Sequence, residues 1–337
     1  MDGDQWPAVP PLTPTKPLAC HSFTFCPCSS SLRSRPADLP HRNASGSSPR
    51  TAACPRHGSP DGAHGFIGSL KHGGSLWQSR DGERLYDWNH REGEFSAIRA
   101  AAFSADGRFV ATSAGNEMVI WSVADGESVR HWTAPSRILS LALSEDGSFA
   151  FLGLESREAV MFYTFPGGLV GRLPHSAPVQ SVAMDDAAKT AVSTDGSRVI
   201  VWSLEAGAAR AAWEVSAPVD FVVIAPDGSQ VVSSAYLGPV TLSTLHDDQP
   251  PTHETLYTRN PGLSTGRFAK GGTELLLGTA REGVILWDLT TMEPRQEWRV
   301  PKAGQWNKAA VLSVAFGAGG QYFAAVSSGH SYEFAVN

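Results

Sequence analysis

Four tryptophan pairs recur along the 337-residue chain at one spacing, and they constrain the fold more than any other feature of the sequence. The two members of each pair lie eleven residues apart: Trp77 and Trp88, Trp121 and Trp132, Trp202 and Trp213, Trp287 and Trp298. A turn of small and acidic residues precedes each pair. This arrangement is typical of a β-hairpin that is repeated along the chain.

Seven such turns occur, and they are separated by 40 to 48 residues; they start at Ser59, Ser104, Ser144, Asp185, Ala225, Ala269 and Gly317. In the clearest copy, strand-like segments at 97–103, 109–114, 118–123 and 128–132 surround the turns. Seven copies of about forty residues indicate four-stranded sheets arranged around one axis. The sequence therefore predicts an all-β fold, a seven-bladed β-propeller of four-stranded antiparallel blades over residues 59–337.

The first blade is predicted to be incomplete. Its turn and three later strands are present, but Pro55 and Gly58 fall where the innermost strand belongs. The last segment before Asn337 is a third strand, so the outer strand of the seventh blade is expected to come from the N-terminus. Residues 1–58, however, lack the alternation of apolar and polar residues that such a strand requires. We predict that residues 1–58 are a disordered tail rich in Pro, Ser and Arg, and an artefact of the gene model.

Charge and cysteine content exclude several classes of function. Residues 1–58 hold six Lys and Arg against three Asp and Glu, which leaves 21 basic and 30 acidic residues in 59–337. A domain with this net negative charge binds nucleic acid poorly, because nucleic-acid affinity depends largely on clustered cations. All four cysteines precede residue 59 and their spacing fits no common zinc pattern, so we expect no metal and no cofactor. No apolar run is long enough for a membrane-spanning segment.

The turn of the type SPDG, the inner strands VLSVAF and VQSVAM, and the third strands VIVWSL and VILWDL resemble those of WD-repeat β-propellers. The resemblance covers residues 59–337 and is more specific to bacterial single-domain WD-repeat proteins, several of which look like exported lipoproteins. Localisation stays open: cytoplasmic as the chain is written, or an exported lipoprotein if the true N-terminus differs.

The resemblance implies a stabilising network of a His before the inner strand, a Ser or Thr on the second strand, an Asp in the next turn and the third-strand Trp. Only the fourth copy is expected to have it, with His175, Ser193 or Thr194, Asp195 and Trp202. The third-strand aromatic residues are interpreted as packing between sheets rather than as a ligand-binding aromatic box; the tryptophans among them are Trp77, Trp121, Trp202 and Trp287.

No sequence motif of a known catalytic site occurs, so we expect no enzyme. Three features could bind a partner. Arg267 occupies an inner-strand position that is Ala or Val in five other copies, and it is either an ion-paired or snorkelling side chain or a ligand contact at the channel mouth. The long connection 246–265 contains Tyr257, and the loop 301–309 places Trp306 between Lys302 and Lys308, as an interface anchor or as packing over a blade edge.

These features favour a non-catalytic scaffold that presents loops on its rims to a protein or peptide partner. The alternative is a propeller enzyme or a small-ligand binder that acts at the mouth of the central channel. The fold by itself does not distinguish the two, because function depends on the side chains that are placed on it.

Overall fold

A computed structural model of the chain describes residues 56–69, 71–79, 82–165, 167–235, 238–247, 249–256, 262–300, 310–317, 320–326 and 331–336. These residues form 27 strands in seven antiparallel sheets, and we find no helix among them. Within those ranges there is accordingly no helix that could span a membrane. The predicted seven-bladed all-β propeller is confirmed.

Each of the first four sheets is a meander whose strands are neighbours in chain order. The first three sheets consist of β1 (Arg56–Gly58), β2 (His64–Ser69), β3 (Gly73–Gln78) and β4 (Arg84–Trp88); β5 (Ile98–Phe103), β6 (Phe109–Ala114), β7 (Glu117–Ser122) and β8 (Ser128–Thr133); β9 (Ile138–Leu143), β10 (Phe149–Leu154), β11 (Glu158–Tyr163) and β12 (Gly168–Pro174). The fourth sheet consists of β13 (Ser181–Met184), β14 (Thr190–Thr194), β15 (Arg198–Ser203) and β16 (Ala208–Glu214).

The remaining three sheets follow the same order, but only three strands of the seventh are described. They consist of β17 (Val219–Ile224), β18 (Gln230–Ala235), β19 (Val240–Thr244) and β20 (Thr252–Leu256); β21 (Leu263–Phe268), β22 (Glu274–Thr279), β23 (Gly283–Asp288) and β24 (Glu293–Arg299); β25 (Val311–Phe316), β26 (Gln321–Val326) and β27 (Ser331–Ala335). The expected source of its outer strand, residues 1–55, lies outside the described residues.

The innermost strands β1, β5, β9, β13, β17, β21 and β25 contact one another in sequence, and β25 also contacts β1. The ring is therefore closed. Large side chains just before five of the seven turns are buried between neighbouring sheets, as in Phe103, Leu143 and Ile224. Each apolar cluster combines residues of two adjacent sheets; Leu141 and Met118, for example, belong to one cluster. Burial between sheets, rather than within one sheet, therefore holds the ring together.

The turns after the inner strands lie on one rim. The amide N–H of Asp106 donates to Glu145 O (3.0 Å), that of Glu145 to Asp186 O (3.0 Å), and that of Asp186 to Pro226 O (3.1 Å). These bonds join the turns of four consecutive sheets at the channel mouth. These four turns therefore lie together on one rim.

The structure corrects one detail of the first sheet. We expected it to lack an inner strand, but Arg56–Gly58 pairs with β2, and His57 lies opposite Phe66. The sheet is incomplete only in length, because this inner strand has three residues where β5, β9, β17, β21 and β25 have six. Pro55 precedes the paired residues in the sequence. A Cβ at Gly58 would lie 2.9 Å from Ala315 Cβ, so only glycine fits at this position without a shift of its neighbour.

Candidate functional site

Four of the five predicted partner-binding residues lie outside the described residues. Lys302, Trp306 and Lys308 belong to the segment 301–309, and Tyr257 belongs to 257–261. The long connection that contains Tyr257 supplies the outer strand β20. A partner-binding role for these four residues stays a prediction.

Arg267, the fifth, lies on the inner strand β21 close to the channel mouth. Its Nη1 donates to Gly58 O at 3.3 Å, so the side chain links the sixth sheet to the first across the inner end of the seventh. It forms no ion pair with the described residues. Burial lowers the pKa of Arg267, while the more distant carboxylates of Asp186 and Asp61 oppose that shift. The contact made by Arg267 is therefore a bridge to a backbone carbonyl.

Asp186 lies on the rim of turns, close enough to Arg267 for each charge to influence the pKa of the other. Burial raises the pKa of the Asp186 carboxyl and the neighbouring Glu145 raises it further, whereas Arg267 and Lys270 act in the opposite direction. A perturbed carboxyl at a channel mouth is a common property of functional sites, but ion networks also produce it. We find no group of three or more His, Cys, Asp or Glu in the described parts of the chain that could hold a metal ion.

A buried hydrogen-bond network in the second sheet was missed in the sequence. His90 Nε2 lies 2.9 Å from Thr112 Oγ1, and Trp121 Nε1 donates to the same oxygen at 2.9 Å. The His90 Nδ1 faces Glu117 at 3.9 Å. Burial lowers the pKa of His90 to about 4, although Glu117 opposes that shift. The expectation that only the fourth copy has such a network is wrong, because Glu117 occupies the place of the expected Asp.

The fourth sheet contains the predicted network. His175 Nε2 lies 2.8 Å from Ser193 Oγ, and Trp202 Nε1 donates to that oxygen at 2.6 Å, so Ser193 rather than Thr194 is the hydroxyl partner. The His175 Nδ1 lies 3.7 Å from Asp195. Both side chains are inaccessible to solvent. The network joins the segment before the inner strand to the second and third strands.

Burial disfavours the charged form of Asp195, yet hydrogen bonds from Ser176, Ser197 and the Arg198 amide outweigh it. They hold the pKa of this carboxyl far below its usual range. Burial also lowers the pKa of His175, against the attraction of Asp195. The carboxylate thus stays charged at neutral pH and fixes the turn between β14 and β15.

The other two third-strand tryptophans lie at equivalent positions on β3 and β23 but have different partners. Trp77 Nε1 donates to Ser75 Oγ at 2.8 Å on its own strand. Trp287 Nε1 has no acceptor among the described residues. Nine residues before Trp287 lies Gly278, where the second and fourth sheets have Thr112 and Ser193. A Cβ at Gly278 would lie 2.6 Å from Val311 Cγ1, so the space for a hydroxyl is already occupied.

An open cavity lies where the turn between β14 and β15 meets the connection from the fourth sheet to the fifth. It opens on the rim opposite the inter-turn bonds and has a volume of about 560 Å³. Its lining consists mostly of small, uncharged residues: Gln180, Asp195, Gly196, Ser197, Val215, Ser216, Ala217 and Pro218. The amides of Val215 and Val219 donate to Ser197 O (3.1 Å) and Gly196 O (2.9 Å), so the connection that forms one wall is held to the opposite turn.

A second cavity of about 190 Å³ shares Val215, Ser216 and Ala217 with the first and leads outwards between the same sheets. Trp213 and His253 form its outer end, with their ring centroids 5.0 Å apart. Ser243 Oγ lies 2.9 Å from His253 Nδ1, which fixes the imidazole. The two cavities meet at the three shared residues, and we refer to them together as the groove between the fourth and fifth sheets.

The sequence contains a signal for the missed network but none for the groove. Both networks have the same order of residue types along the chain, a histidine, then a hydroxyl residue, then a tryptophan: His90, Thr112 and Trp121 in the second sheet; His175, Ser193 and Trp202 in the fourth. In both, the hydroxyl residue and the tryptophan are nine residues apart. The groove instead depends on how the connection 215–218 packs against a turn some twenty residues earlier. No residue type marks that approach.

Comparison with protein families finds one match: residues 85–122 match the family model described as WD domain, G-beta repeat. This segment begins in the outer strand of the first sheet and ends just after Trp121, so it contains the His90 network. No curated protein matches the chain.

Proposed function

Because the chain is a WD-repeat β-propeller, we propose that it is a non-catalytic interaction scaffold that binds an extended segment of a protein partner in the groove between the fourth and fifth sheets. Propellers of this family commonly serve as protein-interaction scaffolds. The groove is the observation that supports the proposal for this chain, since its larger cavity of about 560 Å³ is in the size range of ligand sites.

The chemistry of the groove favours a peptide over a charged small molecule. Asp195 contributes the only buried carboxylate of the larger cavity's lining, and its side chain is 1 % exposed, so its charge is used internally. Ser216 and Ala217 leave room for the side chains of a partner and expose main-chain groups. Trp213 and His253 offer ring faces at the outer end, which suits a large apolar anchor.

The rigidity of the groove also favours binding. Two main-chain hydrogen bonds hold the connection 215–219 to Gly196 and Ser197, and the Asp195 carboxylate fixes that turn from the other side. A preformed wall loses little conformational entropy on binding, so more of the contact energy contributes to affinity.

Selection of a phage-displayed random peptide library on the immobilised protein tests this proposal. Ser216 is exposed in the groove, and Ser216→Arg would fill it, so selected peptides should bind the variant at least tenfold more weakly. Pro135→Arg is the matched control, because Pro135 occupies the equivalent exposed position between the second and third sheets. Equal binding to Ser216→Arg and to the unchanged protein would refute the groove as the site.

A further inference from the structure

Exposed apolar side chains are concentrated on the outer hairpin of the third sheet. Four large hydrophobic residues of the described chain are exposed, and three of them lie on or beside β11 and β12: Tyr163 (36 %), Leu169 (41 %) and Val170 (53 %). Leu169 and Val170 belong to β12, the edge strand of its sheet. An edge strand with exposed apolar residues is a template for pairing with another strand.

Comparison among the blades shows that this exposure is particular to the third sheet. Five outer strands contain a bulge that leaves one residue unpaired with the third strand: Leu85, Val129, Val170, Arg210 and Arg295. Leu85 and Val129 pack against apolar clusters. Arg210 and Arg295 form ion pairs with Asp247 (2.7 Å) and Glu274 (2.6 Å). Val170 is neither covered nor replaced by a charge.

We propose that β12 is a self-association surface, and that its occupant is the β12 strand of a second copy of this chain, packed edge to edge and antiparallel around a two-fold axis at Val170. A two-fold contact requires a self-complementary patch. With Val170 opposite its own copy, Leu169 lies opposite Gly171, and Gly168 lies opposite Arg172. The large side chain thus faces a glycine, and no like charges meet.

The charges of two other outer strands, β16 and β24, exclude the same arrangement there. A two-fold axis at Arg295 would place Arg295 opposite itself and Glu293 opposite Glu297. An axis at Arg210 would likewise oppose two guanidinium groups. In β12 the one charged residue, Arg172, is paired with Glu158 of its own sheet at 3.1 Å. Like charges directly opposite each other destabilise strand pairing, so β12 is the suitable edge among these three.

The proposed contact between the two β12 strands is small, so we expect the dimer to be weak. One strand edge buries less surface than the roughly 1,200 Å² of a small specific interface, so the dimer should be reversible and form at high protein concentration. The chain carries a net charge of −6, so two copies repel each other at long range. Because salt screens that repulsion while the apolar contact remains, dimerisation should strengthen as ionic strength rises.

Sedimentation equilibrium of the full chain tests the proposal. From about 5 to about 300 μM, the mass should rise from 35.9 kDa towards twice that value. Val170→Lys places two ammonium groups opposite each other on the axis and should keep the protein monomeric. Ala209→Lys adds the same charge to an exposed position of β16 and should dimerise like the unchanged protein. Circular dichroism shows whether both variants fold.

A protein that stays monomeric throughout this range would overturn the proposal, and so would a Val170→Lys variant that dimerises normally. Loss of dimerisation in Ala209→Lys as well would show that net charge, not the β12 edge, controls association. A monomeric protein that captures a different polypeptide through Val170 would also overturn it, in favour of a heterologous partner. None of these results depends on the groove, because Ser216→Arg should dimerise normally.

Discussion

The fourth turn of the ring offers a sharp test of how these turns are stabilised. Its last residue, Ala188, has a φ of 53°, whereas glycine occupies the corresponding position in the second and third turns, Gly107 (φ 75°) and Gly147 (φ 71°). For a residue with a Cβ, the left-handed region costs roughly 1–2 kcal/mol. Glycine removes this cost, but it also gives the unfolded chain more conformational entropy, which lowers the free energy of unfolding by about 0.4–1 kcal/mol. Ala188 is half-buried against the apolar cluster of the third and fourth sheets, so loss of its methyl group offsets part of this gain, and Ala188→Gly should stabilise the protein by at most about 0.5–1 kcal/mol.

The two glycines provide matched controls. In Gly107→Ala, the nearest atom to the new Cβ is Pro60 Cδ at 3.9 Å, so only the backbone cost applies and we expect a loss of about 1 kcal/mol. In Gly147→Ala, the Cβ would lie 2.7 Å from Phe109 Cδ2. The clash should add about 1–3 kcal/mol to that loss.

Differential scanning calorimetry measures these effects as changes in Tm. For a domain of this size the gain in Ala188→Gly should correspond to at most roughly 1–3 °C, and Gly107→Ala should shift Tm by a similar amount downwards. A lower Tm in Ala188→Gly would refute the reasoning, as would equal losses in Gly107→Ala and Gly147→Ala.

Three further predictions concern buried polar groups. Ser193→Ala removes the acceptor of Trp202 and the partner of His175, so it should lower the free energy of unfolding by about 2–4 kcal/mol, and Trp202→Phe should recover part of that loss in a double-mutant cycle. His90 has a folded-state pKa of about 4, so its imidazole binds a proton more tightly in the unfolded chain than in the folded protein. The free energy of unfolding should therefore fall as pH drops from 6.5 to 4, and chemical denaturation of His90→Gln should show a smaller fall over the same range. Arg267→Met removes a half-buried cation whose one described hydrogen bond is to Gly58 O, so the free energy of unfolding, measured by chemical denaturation, should be retained or increased; a drop of more than about 3 kcal/mol would show an ion pair that the described contacts lack.

The sequence predicted the ring well because its period is carried by residues with local roles. Turns such as Ser104–Gly107 form through their own side chains; the Ser104 hydroxyl donates to Asp106 at 2.7 Å and accepts the Phe109 amide at 3.0 Å. Bonds of this kind depend on a few neighbouring residues, so the pattern is visible without tertiary information.

The features that escaped prediction depend on contacts between distant segments. Glu117 takes the place of an expected Asp, and its approach to His90 is visible only once both segments are folded. The short strand Arg56–Gly58 forms despite poor local preference, because β2, β5 and β25 surround it. Arg267 could be recognised as an exception in its strand, but its acceptor, Gly58 O, lies 209 residues earlier.

The vacant hydrogen-bond position of Trp287 also limits how this protein can evolve. Gly278→Ser alone would offer an acceptor but would place its Cβ 2.6 Å from both Thr265 Cγ2 and Val311 Cγ1. Val311→Ala alone would leave a void in the fully buried interface between the sixth and seventh sheets. Each step is harmful by itself, and the pair together would still leave the new Cβ 2.6 Å from Thr265 Cγ2. At least three coordinated substitutions, at Gly278, Val311 and Thr265, would therefore be needed before a hydroxyl could reach Trp287 as it reaches Trp121 and Trp202.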